Sequence, residues 1–138
     1  MRNVYIVVII LSALVLGAII YGFTVVGSPG KQQALKLDQQ RITDFNNINY
    51  KMQTYYGTND KLPDKLDDLT GSNLSLKDPK TKLDYSYFTL TDRSYKLCAT
   101  FETDSKDADK SANYYYYDTK NEHKKGYDCI TFEIPDYY

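Results

Sequence analysis

Residues 4–26 read VYIVVIILSALVLGAIIYGFTVV, a run without one charged side chain. As a helix it would rise ~35 Å, against ~30 Å for the hydrocarbon core of a bilayer. A helix satisfies its own backbone hydrogen bonds, so this segment can cross lipid alone. Two other readings compete. A cleaved secretory signal is one, with Arg2 as the positive start and Val25 and Gly27 small enough for the −3 and −1 places before a cleavage site. Signal cores run to about 7–15 apolar residues, and this one is longer, so retention is the expectation. A buried core helix is the other, but the chain from Lys31 onward is too polar to wrap such a helix on every side. The sequence therefore divides into an anchor, 1–27, and one small domain, 28–138.

All 18 acidic residues and every basic one but Arg2 lie after Gly30, so the domain carries a small net negative charge. That argues against nucleic-acid binding by phosphate neutralisation and against a polybasic lipid-binding surface. Two cysteines, Cys98 and Cys129, suggest one disulfide in an oxidising compartment. Buried thiols in a reduced protein are the alternative, and the lone His123 does not complete a zinc pattern. Counting Lys31, Lys36 and Arg41 against Arg2, the positive-inside rule would place the domain in the cytoplasm. The short amino-terminal head and the cysteine pair favour the opposite topology, with the domain outside, and that is the expectation.

Beyond the anchor, Gly27-Ser28-Pro29-Gly30 reads either as a hinge or as a new helix start, with Ser28 as cap and Pro29 at the first position. Lys31 to Tyr56 reads as a helix. Leu35, Ile42, Phe45, Ile48, Met52 and Tyr55 form one apolar stripe, and Gln, Asn, Lys and Asp fill the other faces. Gly57 is the expected left-handed cap. Leu62 to Leu69 carries a short helical turn begun at Pro63 or Asp64, with Leu66 and Leu69 on one face. From Asp78-Pro79 the pattern turns to strands at Leu83–Thr91, Tyr95–Glu102, Tyr114–Thr119 and Tyr127–Ile134. The expected fold is α+β: an amino-terminal transmembrane helix, then a long amphipathic helix packed on a four-stranded antiparallel sheet.

The order of elements resembles the type IV pilins and type II secretion pseudopilins. It is carried by the apolar helix and its amphipathic extension, Leu62-Pro63 with Leu66 and Leu69, and Asp78-Pro79 ahead of Tyr85 and Tyr87. Cys98 and Cys129 resemble the disulfide that closes the carboxy-terminal region of many pilins. The resemblance implies a pilin-like fold and lateral packing with identical subunits or other pilin-like envelope components. Members of the group have a leader and a glutamate five residues into the mature chain. Here no acid stands in the anchor, Tyr5 holds the fifth place, and Met1 with the few residues after it is expected to leave no room for a leader.

No cofactor is expected, and no phosphate loop, dinucleotide fingerprint or metalloprotease motif stands in the chain. His123, in Asn121-Glu122-His123-Lys124-Lys125-Gly126, reads as a solvated residue of a charged turn. Asp104, Asp107 and Asp109 are weak calcium candidates. Lys106 and Lys110 interleave them, so a solvated charged loop is the preferred reading. The chain has 15 tyrosines. Tyr114, Tyr115, Tyr116 and Tyr117, with Tyr137 and Tyr138, could form a face for self-association or for a partner, the alternative being strand filler. Ala13 and Gly17 have the small-xxx-small spacing of helices that pack in lipid. The expected function is a membrane-anchored structural or interaction protein of the cell envelope rather than an enzyme. A ligand-binding accessory subunit of a secretion or uptake system, with a concave tyrosine-lined site, is the second reading.

Overall fold

Residues 2–26, 28–69, 74–107 and 121–136 are described by the computed structural model. The chain divides into two units, 1–33 and 34–138. In the first, helix α1 spans Arg2–Val26. Its side chains from Val4 to Gly22 are all exposed. This stretch of 19 residues is long and apolar enough to cross a membrane. Ser12 Oγ donates to the Val8 carbonyl at 2.8 Å, so a hydroxyl midway along the helix is satisfied within it. Helix α2 begins at Pro29. Ser28 caps it: its Oγ accepts from the Lys31 amide at 3.3 Å and its carbonyl from the Gln32 amide at 3.2 Å. Of the two readings of Ser28-Pro29, the helix start is the one found.

The second unit holds the remainder of α2, which runs to Asn59, three residues past the expected end. Gly57 is helical, and the left-handed residue is Asp60, with φ +53. The Asp60 amide still donates to the Tyr56 carbonyl at 2.8 Å, and the side chains of Thr58 and Asn59 bond back to the carbonyls of Thr54 and Tyr55. These local bonds carry the helix through the glycine. A single 3-10 turn at Leu66–Asp68 follows, with Leu62, Leu66 and Leu69 all buried.

Three antiparallel strands follow, β1 (Ser86–Thr89), β2 (Ser94–Phe101) and β3 (Gly126–Glu133), in the order β1-β2-β3. Four strands were expected; the Tyr114–Thr119 stretch lies outside the described residues. Among those described the sheet has three strands, and β1 is shorter than expected, with Leu83 and Leu90 outside it and exposed. Alternation along β2 sends Tyr95, Leu97, Ala99 and Phe101 into the core. Ile130 and Phe132 of β3 join them, together with Phe45, Ile48, Met52 and Tyr56 of α2. The fold is thus α+β, a helix and a sheet sharing one core.

Cys98 and Cys129 form a disulfide, as expected. They face each other directly across β2 and β3, with Cα atoms 4.0 Å apart. Gly126, opposite Phe101, opens β3 at φ +99, a conformation that favours glycine.

Candidate functional site

A groove of 570 Å³ is bordered by Asn46, Asn49 and Gln53 of α2, by Thr91 and Ser94 at the β1–β2 turn, and by Thr131, Phe132 and Glu133 of β3, with Asn121 and Pro135 at its margin. Steps of three and four residues put the three amides on one side of the helix, next to the apolar stripe. Tyr95 Oη donates to Asn49 Oδ1 at 2.7 Å, which orients that amide from beneath. Among these lining residues Glu133 alone is charged. Amides and hydroxyls of this kind bind an uncharged, hydrogen-bonding ligand through fixed donors and acceptors; they supply no nucleophile with a base beside it. The concave site expected on the second reading was to be tyrosine-lined. Its lining holds amides and hydroxyls and none of the described tyrosines; Tyr95 lies against Asn49 and, like most described tyrosines of the second unit, is turned into the core.

Those tyrosines are mostly packing groups. Tyr56, Tyr85 and Tyr95 are buried, Tyr55 and Tyr87 are half-buried, and Tyr50 and Tyr127 are exposed. Tyr87 Oη donates to the Pro63 carbonyl, and burial, with help from Asp64, pushes its phenol up to about 12. Tyr114, Tyr115, Tyr116, Tyr117, Tyr137 and Tyr138, the expected contact face, lie outside the described residues, and so does Asp109. Asp104 accepts from the Lys106 amide at 2.9 Å. Among the described residues no group of three or more His, Cys, Asp or Glu side chains is placed to hold a metal ion. Ala13 and Gly17 lie one turn apart on α1, and a Cβ added at Gly17 would meet nothing within 4 Å.

A dense polar cluster among the described residues was not foreseen. Arg41 is fully buried, and Asp38, Asp44 and Asp78 are buried with it. Arg41 Nη1 bonds Asp38 Oδ1 at 2.7 Å, and its Nε bonds Asp78 Oδ2 at 2.6 Å. Asp38 also accepts from the amides of Glu102 and Thr103 and from Thr103 Oγ1. Asp78 also accepts from the amides of Lys80 and Thr81. Burial opposes ionisation of Asp78, but the Arg41 guanidinium and these two amides outweigh it and hold the carboxyl at about 2. Burial likewise opposes the charge on Arg41, and the bonds to Asp78 and Asp38 more than offset it, so its pKa is raised. The cluster joins α2 to the 78–81 turn and to the end of β2. Its carboxylates are engaged within the fold, so it acts as a clamp.

The assignment of the helix faces is corrected accordingly: Asp38 and Asp44 belong to the buried face, not the polar one, and Arg41, assigned to no face, lies there with them. The clue was their register, since Asp38 and Arg41 stand seven residues before Phe45 and Ile48.

His123 is a second correction. It was expected in solvent; it is 6% exposed and stacks on the Phe101 ring, centroids 3.8 Å apart. An aromatic partner at the end of β2 gives the ring a seat that the charged residues around it in the sequence conceal. Known protein families, curated proteins and solved structures yield no match to this chain.

Proposed function

We propose that this chain is a membrane-anchored, pilin-like structural or interaction protein of the cell envelope, held by α1 with its α+β unit on the extracytoplasmic side, and packing laterally with copies of itself. The observation that carries the reading is the pairing of an exposed apolar helix, Val4–Gly22, with a disulfide-closed α+β unit. An isolated apolar helix needs lipid or other helices around it. The Ala13/Gly17 step offers the close approach that a second copy would use. Cys98–Cys129 supports the outer compartment, where disulfides persist.

The test uses the full chain in native membranes. It should resist alkaline extraction, show a Cys98–Cys129 bond by mass before reduction, and form cross-linked oligomers that G17L diminishes. Release by alkaline washing would remove the anchor reading. Two free thiols in native material would overturn the outer topology, and monomers throughout would overturn lateral packing.

The amide-lined groove favours a second reading, a ligand-binding accessory subunit of a secretion or uptake system. It differs in outcome: the chain would stay monomeric in the membrane, and substitutions at Asn46 or Gln53 would abolish its activity without altering its fold.

A further inference from the structure

His123 and Ser105 close a small ring of backbone between the end of β2 and the approach to β3. The Ser105 amide donates to the His123 carbonyl at 3.0 Å, and the His123 amide donates to Ser105 Oγ at 3.2 Å. The imidazole lies flat on Phe101, and Nδ1 is buried with no hydrogen-bond partner. A neutral ring tolerates this seat; an imidazolium would bury a charged Nδ1–H against nothing that accepts it.

The ionisable groups acting on the ring come from three elements: Asp38 on α2, Asp104 in the segment after β2, and Asp128 on β3; a hydrogen bond between the ring and the Lys124 backbone also favours the charged form. All three carboxylates favour a charged imidazole, but each is occupied. Asp38 is taken by Arg41, Glu102 and Thr103, Asp104 by the Lys106 amide, and Asp128 by the amides of Lys124 and Cys129. None of these carboxylate bonds reaches the ring, and burial outweighs both the pull of the three charges and the Lys124 backbone bond, so the His123 pKa is lowered.

We infer that the Ser105–His123 closure is an acid-sensitive clasp: protonation of His123 as the pH falls through the range of an ordinary histidine breaks it and loosens the ends of β2 and β3. The sign follows from linkage. The open state binds the proton near pH 6.5 and the closed state binds it only at lower pH, so acid favours opening. The clasp holds fully at neutral pH and weakens below about 6.5.

Hydrogen exchange on the full chain in detergent micelles, at pH 7.5 and 5.5 and corrected for intrinsic exchange chemistry, tests this. The amides of Ser105 and His123 should exchange up to about tenfold faster at pH 5.5, the limit set by one proton bound only in the open state. Those of Leu97 and Ile130, in the middle of the sheet, should not change. H123F keeps a ring on Phe101 and cannot titrate, so it should show no acceleration. Equal protection at both pH values, or the same acceleration in H123F, would overturn the clasp. Independently of whether H123F folds, the chain has one histidine. Its NMR titration midpoint should lie below 6.5, and a midpoint at or above 6.5 would also overturn the inference.

Discussion

Along the buried face of α2, Asp38 and Arg41 stand in the register that Phe45, Ile48 and Met52 continue, yet the two halves are held by opposite chemistry. The later half meets Tyr85, just before β1, and Tyr95 and Phe101 of β2, and most of what it needs is apolar volume. The earlier half meets a turn and a strand end through a guanidinium and two carboxylates, each with directed bonds. Apolar packing is non-directional, so residues of similar volume could stand in for one another there. The ionic half is not so permissive. It fixes where the 78–81 turn and the 102–103 segment sit against the helix, at the cost of desolvating charges.

The largest effect should come from R41A. Removing the cation leaves Asp38 and Asp78 buried and uncompensated, and a broken buried pair of this kind costs about 3–5 kcal/mol. Denaturant unfolding of the full chain in micelles, following the far-UV signal of the second unit, measures it. F45A should destabilise by a comparable amount, about 3–5 kcal/mol, through lost burial and the cavity left between Tyr85 and Phe101.

The two variants part company in acid. Asp78 sits at about 2 in the fold against an ordinary value of 3.8, so its contribution is complete above pH 4 and fades as the pH falls toward 2. In R41A the pull of the guanidinium on Asp78 is gone, and its carboxyl takes up a proton at higher pH. The penalty of R41A should therefore shrink between pH 7 and pH 3, while that of F45A stays level. Parallel pH profiles for the two would mean that Arg41 contributes by its bulk and not by its charge.

The same contrast explains what the sequence could and could not show. The apolar helix, the stripe at Phe45, Ile48 and Met52, the strand pattern at Tyr95–Phe101 and the cysteine pair were legible because each depends on near neighbours in the sequence or on residue type alone. The clamp was not, because Arg41 meets Asp78 across 37 residues, and a charge in the stripe reads as its edge until the partner is known. The amide groove was hidden for a related reason: Asn46, Asn49 and Gln53 look like ordinary helix surface until β3 closes the other side. Gly57 misled because a glycine near the expected end resembles a cap, whereas Thr58 and Asn59 carry the helix on through it to Asn59. His123 misled because its sequence neighbours are charged while its spatial neighbour is Phe101.

Tyr85 touches both halves and offers the finest discrimination. Its ring meets Phe45 edge-on at 4.9 Å, and its hydroxyl donates to Asp44 Oδ2 at 2.8 Å. Burial, and then Asp44, raise its phenol well above the ordinary value, so the hydroxyl stays a donor at any working pH. Y85F removes that bond and, among the described residues, leaves the buried Asp44 carboxylate with Gln40 as its remaining side-chain donor. A hydrogen bond to a charged group is worth about 1.5–3 kcal/mol, so Y85F should cost less than either R41A or F45A. Residues in contact commonly couple by about 0.5–3 kcal/mol, so additivity with F45A within about 0.5 kcal/mol in the double variant would mark the hydroxyl's bond as independent of the ring contact. A larger shortfall or excess would mean that the hydroxyl also holds the ring against Phe45. The polar and apolar halves of the face would then be one cooperative unit rather than two independent grips on the sheet.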